Sequence, residues 1–115
     1  MPIQRFETNA RMSQAVVHGG TVYLAGQVAR AESVAAQTRE ILDNIDALLA
    51  KAGSDRGHLV SATIWLADIA DYAAVNEIWD AWVPAGAAPA RACVESRLAG
   101  ETFRVEIGAI AAVKD

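Results

Sequence analysis

The stretch SVAAQTREILDNIDALLAKAG, Ser33 to Gly53, decides how the rest of the chain is read. From Ser33 to Ala52 the apolar residues Val34, Ile41, Leu42, Ile45, Leu48 and Leu49 recur at three- and four-residue steps, the spacing of one face of an α-helix. Gly53 stands where a left-handed C-terminal cap belongs. Arg39, Glu40, Asp43, Asn44, Asp46 and Lys51 fall mostly off the stripe and read as a solvated face.

Upstream, Gln14 to His18 and Thr21 to Gly26 alternate like half-buried strands, and Gly19-Gly20 between them predicts a tight hairpin. Ile3 to Phe6 is a candidate for a further edge strand. Downstream, Leu59 to Leu66 is rich in Val, Ile and Trp and reads as a strand with Val60, Ala62, Ile64 and Leu66 on one face. Asp71 is placed to cap a second helix, whose apolar side carries Tyr72, Val75, Ile78, Trp79 and Trp82. Pro84 and Gly86 end it. Two more strands are expected at about Ala90 to Leu98 and Thr102 to Val113, on either side of Ala99-Gly100-Glu101. The order ββαβαββ predicts a sheet covered on one face by two helices.

The 115 residues suit a single domain, 1–115. With 53% hydrophobic and 21% charged residues the composition is globular. Ten basic residues against fourteen acidic ones give a net charge of −4, and no basic run offsets it, which disfavours a nucleic-acid partner. No stretch is apolar enough to span a bilayer and none at the start reads as a signal peptide. Cys93 is the only cysteine, so nothing points to an oxidising compartment, and a cytoplasmic location is the expectation.

Alternation places Arg91, Cys93, Glu95 and Arg97 on one side of the fifth strand, and Ala92, Val94 and Ser96 on the other. In the last strand Phe103, Val105, Ile107 and Ala109 oppose Arg104, Glu106, Gly108, Ile110 and Ala112. If the apolar sets meet beneath the helices, Arg91, Cys93 and Glu106 share the uncovered face, together with Ile110 and Ala112. Such a mixed face predicts burial against another copy of the chain. Two readings of Arg91 and Glu106 are open. They form a structural ion pair, or Arg91 offers its planar fork to a ligand carboxylate while Glu106 handles a proton or a water.

Asn76 sits at the margin of an apolar stripe and needs a partner, either a neighbouring loop or a ligand. Trp65, Trp79 and Trp82 read as core. His18 and His58 read as turn or surface residues. Without CxxC or HxH spacing no metal site is assigned, and no phosphate-cradling glycine pattern is present.

Five segments in order, Gly26-Gln27, Gln37-Thr38 through Asn44-Ile45, Asp71 to Asn76, Pro89 to Val94 and Val105-Glu106-Ile107, resemble the Rid family of reactive-intermediate deaminases, also called endoribonuclease L-PSP. Trp79 to Val83 followed by Ala85-Gly86-Ala87-Ala88-Pro89 is closest to its short members. The resemblance implies a chorismate-mutase-like α/β (α+β) fold with a mostly antiparallel sheet of about six strands, a homotrimer, and ligand clefts between subunits. It implies hydrolysis of enamines or imines such as 2-aminoacrylate to 2-keto acids and ammonium, a form of metabolite damage control that needs no cofactor or metal. The alternative is non-catalytic binding or sensing of small carboxylic or keto acids in the same cleft. Carried over, Arg91 binds the carboxylate, Glu106 handles water, and Gly26, Ala25, Asn76, Cys93 and Met12 line the cleft. The chain departs from the deaminating pattern in three places: Met12 replaces an aromatic hydroxyl, Ala25 a serine, and Gly108 a second glutamate. These departures bear on substrate range and rate.

Overall fold

Gly19 and Gly20 take φ values of 61° and 81°, the twist that a two-residue turn needs to bring two strands back together. They join β2 (Ser13–His18) to β3 (Thr21–Leu24), and β1 (Gln4–Thr8) pairs along the outer edge of β2. The helix α1 (Val34–Lys51), the strand β4 (Leu59–Leu66), the helix α2 (Tyr72–Trp82) and the strands β5 (Ala90–Glu95) and β6 (Val105–Ala112) follow. The computed structural model describes residues 1–115.

The six strands form one sheet in the order β1-β2-β3-β6-β4-β5, antiparallel except for β4 with β5. α2 is the crossover of that parallel pair, and α1 joins β3 to β4 across the intervening β6. Both crossovers lay their helix on the same face. Ile41, Leu42, Ile45 and Leu49 of α1 and Val75, Trp79 and Trp82 of α2 meet Val22, Ala62, Ile64, Leu66, Val105, Ile107, Ala109 and Ala111 of the sheet in one buried cluster.

Local chemistry explains where the elements begin and end. Ser33 Oγ accepts from Ala36 N at 3.1 Å and caps α1, and Gly53, with φ 81°, follows its end. The last strand starts later than Thr102 because the backbone there is committed elsewhere. Phe103 N donates to Gly100 O, and Arg104 N donates to Gln37 Oε1. β5 stops at Glu95, beyond which Ser96 N turns back to Leu66 O.

Four further expectations are corrected. Val60 is 54% exposed, because a bulge between Leu59 and Ser61 interrupts the alternation and turns Leu59 inward in its place. Tyr72, expected on the apolar side of α2, is exposed. Asp71 occupies the cap position of α2 but makes no capping bond, since both of its oxygens accept from Arg104 Nη2 at 2.9 Å. Asp46 is not part of a merely solvated face. It accepts from Arg56 Nε and Nη2 and from Trp82 Nε1, clamping α1 to the end of α2.

The buried amide of Gln37 makes the more consequential crosslink. Its Nε2 donates to Ala31 O at 3.0 Å and Thr102 O at 2.9 Å, while Oε1 accepts from Arg104 N at 2.9 Å. Replacement by leucine strands three backbone groups without water. Gln37→Leu should therefore lower unfolding free energy by about 3 kcal/mol in urea titrations. Asp46 and Arg56 are 30% and 39% exposed at their side chains, so solvent screens their pair, and Asp46→Ala should cost only about 1 kcal/mol.

Candidate functional site

The parallel register of β5 on β4 sets Arg91 opposite Ala62 and Cys93 opposite Ile64. Ala62 and Ile64 point into the core, so Arg91 and Cys93 point to the helix side of the sheet. Arg91 Nη1 donates to Asn76 Oδ1 of α2 at 2.8 Å. Its guanidinium lies over the Trp79 ring, 5.5 Å from the centroid, and 6.0 Å from that of Tyr72. Asn76 thus has its partner in Arg91 rather than in a loop, and the pair fixes the plane of the fork. Arg91 joins no salt bridge of the chain, which leaves its charge open to an anion.

Glu106 lies on the other side. It pairs with Trp65, and Gly108 with Thr63, on the face that the helices leave open. The expectation that Arg91, Cys93 and Glu106 share one face is therefore overturned. β5 is an edge strand whose small apolar residues, Ala92 and Val94, face outward, and the aromatic rings of α2 cover the stem of Arg91 instead.

Gly26, in the loop after β3, leaves the space that the Glu106 carboxylate fills. A Cβ there would collide with Glu106 Oε2 and approach Glu106 Cδ to 2.9 Å. The carboxylate thus rests directly against the Gly26 backbone. It takes part in no ion pair. Beside it a cavity of about 190 Å³ is lined by Leu24, Gly26, Thr63, Trp65, Gly108 and Ile110. Trp79 and Trp82 are core as expected, but Trp65 is a half-buried wall of this cavity, its ring edge 3.4 Å from where a Cβ of Gly108 would stand. The indole thus lies over position 108 at the distance of ordinary van der Waals contact with a Cβ.

Ala25 precedes Gly26, and its amide donates to Gln14 O. Met12, in the turn between β1 and β2, is 38% exposed, and its amide is held by Asn9 Oδ1. Within one chain the predicted residues thus form separate groups. Arg91, Cys93 and Asn76 gather at the β5 edge, Glu106, Gly26 and Ala25 around β3 and β6, and Met12 near the opposite edge of the sheet. With strands spaced about 4.8 Å apart, Met12 and Arg91 belong to opposite ends of the molecule.

Sequence reading missed Tyr72 as a member of the Arg91 group. The signal available was its spacing: Tyr72, Asn76 and Trp79 lie four and three residues apart, on one stripe of α2. His58 Nδ1 lies 2.7 Å from Asp55 Oδ1, and that hydrogen bond, more than any other contact, holds the Asp55 carboxyl below its usual range.

Burial pushes the Cys93 thiol up, and Arg91 partly offsets this by favouring the thiolate. A raised pKa leaves less thiolate at any given pH, so at about pH 8 iodoacetamide should modify Cys93 more slowly than free cysteine, as followed by mass spectrometry. Gly26→Ala should leave the fold intact, because the atom it meets is the mobile end of Glu106, and should displace that carboxylate. Comparison of crystal structures of the two forms checks this.

The family model described as endoribonuclease L-PSP matches residues 2–113. A RutC family protein of Haemophilus influenzae is 44% identical over 114 residues, covering 96% of this chain and 98% of the relative. A 2-iminobutanoate/2-iminopropanoate deaminase of Salmonella typhimurium is 36% identical over 107 residues, covering 85% and 84%. The crystal structure of a member of the YjgF protein family from Neisseria meningitidis superposes with a TM-score of 0.98 at 48% identity, covering 100% of this chain and 98% of the other. With its six-stranded sheet, its two helices and the motifs that carry Arg91 and Glu106 in place, the chain belongs to the Rid family, the family of endoribonuclease L-PSP.

Proposed function

We propose that this protein hydrolyses enamine and imine intermediates of 2-amino acids, such as 2-aminoacrylate, to 2-keto acids and ammonium. The observation that carries the reading is Arg91, a guanidinium held flat by Asn76 and Trp79 and matched with no acid of its own. A planar fork in that state suits a small carboxylate, which it binds bidentately. The deaminase relative, covered over most of its length, supports the reaction class.

The chemistry asks little of the protein. The enamine tautomerises to an imine, whose carbon is already electrophilic. Water adds there, giving up a proton to the Glu106 carboxylate. That proton passes to the nitrogen. Glu106 then relays the proton of the new hydroxyl to the same nitrogen as the C–N bond breaks and the carbonyl forms, and the ammonia released takes a proton from water to become ammonium. Orientation by Arg91 and base assistance by Glu106 are the contributions.

Because Arg91 and Glu106 of one chain occupy opposite faces of the sheet, the reading requires the two to come from neighbouring copies. A homotrimer with clefts between subunits provides this. Exposed Tyr23, Val94 and Ile110 on the strands favour such an assembly. Light scattering at micromolar concentration should give three times the 12.2 kDa chain mass. A monomer would remove the composite site.

A second reading keeps the carboxylate site without turnover, as a binding protein or sensor for small keto acids. The half-site around Arg91 is complete within one chain, and that observation favours it. The two readings part in one assay, in which a pyridoxal-phosphate dehydratase generates 2-aminoacrylate and keto acid release is followed. The proposed activity accelerates release, Arg91→Ala lowers kcat/KM by about a hundredfold or more, and Glu106→Gln lowers kcat by a similar factor. Absence of any acceleration, or an unimpaired Arg91→Ala variant, would refute the deaminase reading.

A further inference from the structure

The Arg91 guanidinium carries five N–H donors in one plane. Its close partner, Asn76 Oδ1, occupies Nη1, and the buried Trp79 ring lies against one face. The remaining approach runs past Tyr72, at the first turn of α2. Tyr72 is 45% exposed, and its hydroxyl oxygen stands 3.5 Å from Arg91 Nη2.

That separation is longer than an ordinary N–H···O bond, so the hydroxyl is not committed to the arginine. Its orientation is nonetheless constrained. A phenol beside a fixed positive charge turns its oxygen lone pairs toward the cation and its hydrogen away. The O–H is thus a spare donor next to Nη2, on the side from which an anion reaches the guanidinium. Asp71, the preceding residue, is tied to Arg104 through both oxygens, which anchors the start of α2 and keeps that carboxylate from competing for Arg91.

We propose that Tyr72 is a further ligand-binding residue of the Arg91 site, its hydroxyl donating a hydrogen bond to one oxygen of the carboxylate that Arg91 holds. The inference rests on the reading of Arg91 as a carboxylate binder. The clamp it describes, two guanidinium donors plus one phenol, is selective for a small planar carboxylate whose substituent points away from α2. A charge-assisted hydrogen bond of this kind corresponds to roughly tenfold in affinity.

The test is calorimetric titration of the full-length assembled protein with 2-ketobutyrate, an unreactive carboxylate probe. Tyr72→Phe keeps the exposed ring and removes only the donor, so the fold is retained. The expected result is binding about tenfold weaker than wild type and, where imine turnover is measured, a raised KM with kcat preserved. Arg91→Lys, which loses the fork, should lose binding altogether. Unchanged affinity in Tyr72→Phe alongside lost affinity in Arg91→Lys would overturn the role of Tyr72 and leave that of Arg91 standing. Failure of the wild-type protein to bind the probe would overturn both.

Discussion

The register of β5 against β4 is the constraint on which the candidate site depends. Ala62 opposite Arg91 and Ile64 opposite Cys93 commit the arginine to the helix side of the sheet, because Ala62 and Ile64 cannot leave the core. A slip of one residue would send Arg91 to the open face and Ala92 beneath the helices. The bond of Arg91 to Asn76, its bed on Trp79 and its separation from Glu106 all follow from this register.

β6 imposes the matching constraint at the centre of the sheet. It lies between β3 and β4, so Val105, Ile107, Ala109 and Ala111 are needed by the core and Glu106 must face the other way. A carboxylate on that open face rests on Gly26, with Trp65 occupying the space above Gly108. Electrostatically the two halves are unfinished in the same sense, each holding a charge that the chain does not neutralise. The proposed contact between copies would bring opposite charges to a shared ligand and cover the apolar residues of the exposed strands.

The polar crosslinks have a common logic. Gln37, Asp46 and Asp71 each tie a helix to a segment far away in sequence, through hydrogen bonds that no local pattern foretells. Gln37 looks like one more residue in the first turns of an amphipathic helix. Only the approach of Thr102 and Arg104 from sixty-five and sixty-seven positions away makes its amide indispensable. Long-range satisfaction of buried polar groups depends on the tertiary path of the chain, and periodicity carries no trace of it.

Read alone, the residues determined the hairpin at Gly19-Gly20, the stripe of α1 and the existence of five strands, with the first strand a candidate, and they singled out Arg91 and Glu106 as expected site residues, because these rest on local backbone preference, on side-chain period and on short motifs. They misjudged Val60, where a bulge breaks the period, and they placed Arg91 with Glu106, since alternation tells which residues of a strand agree with one another but not which face the strand presents. That face is decided by pairing with a neighbour. Tertiary structure alone put Arg91 beside Asn76, Trp79 and Tyr72, and Glu106 against Gly26, because strand register and helix docking are long-range choices settled by burial of the whole core.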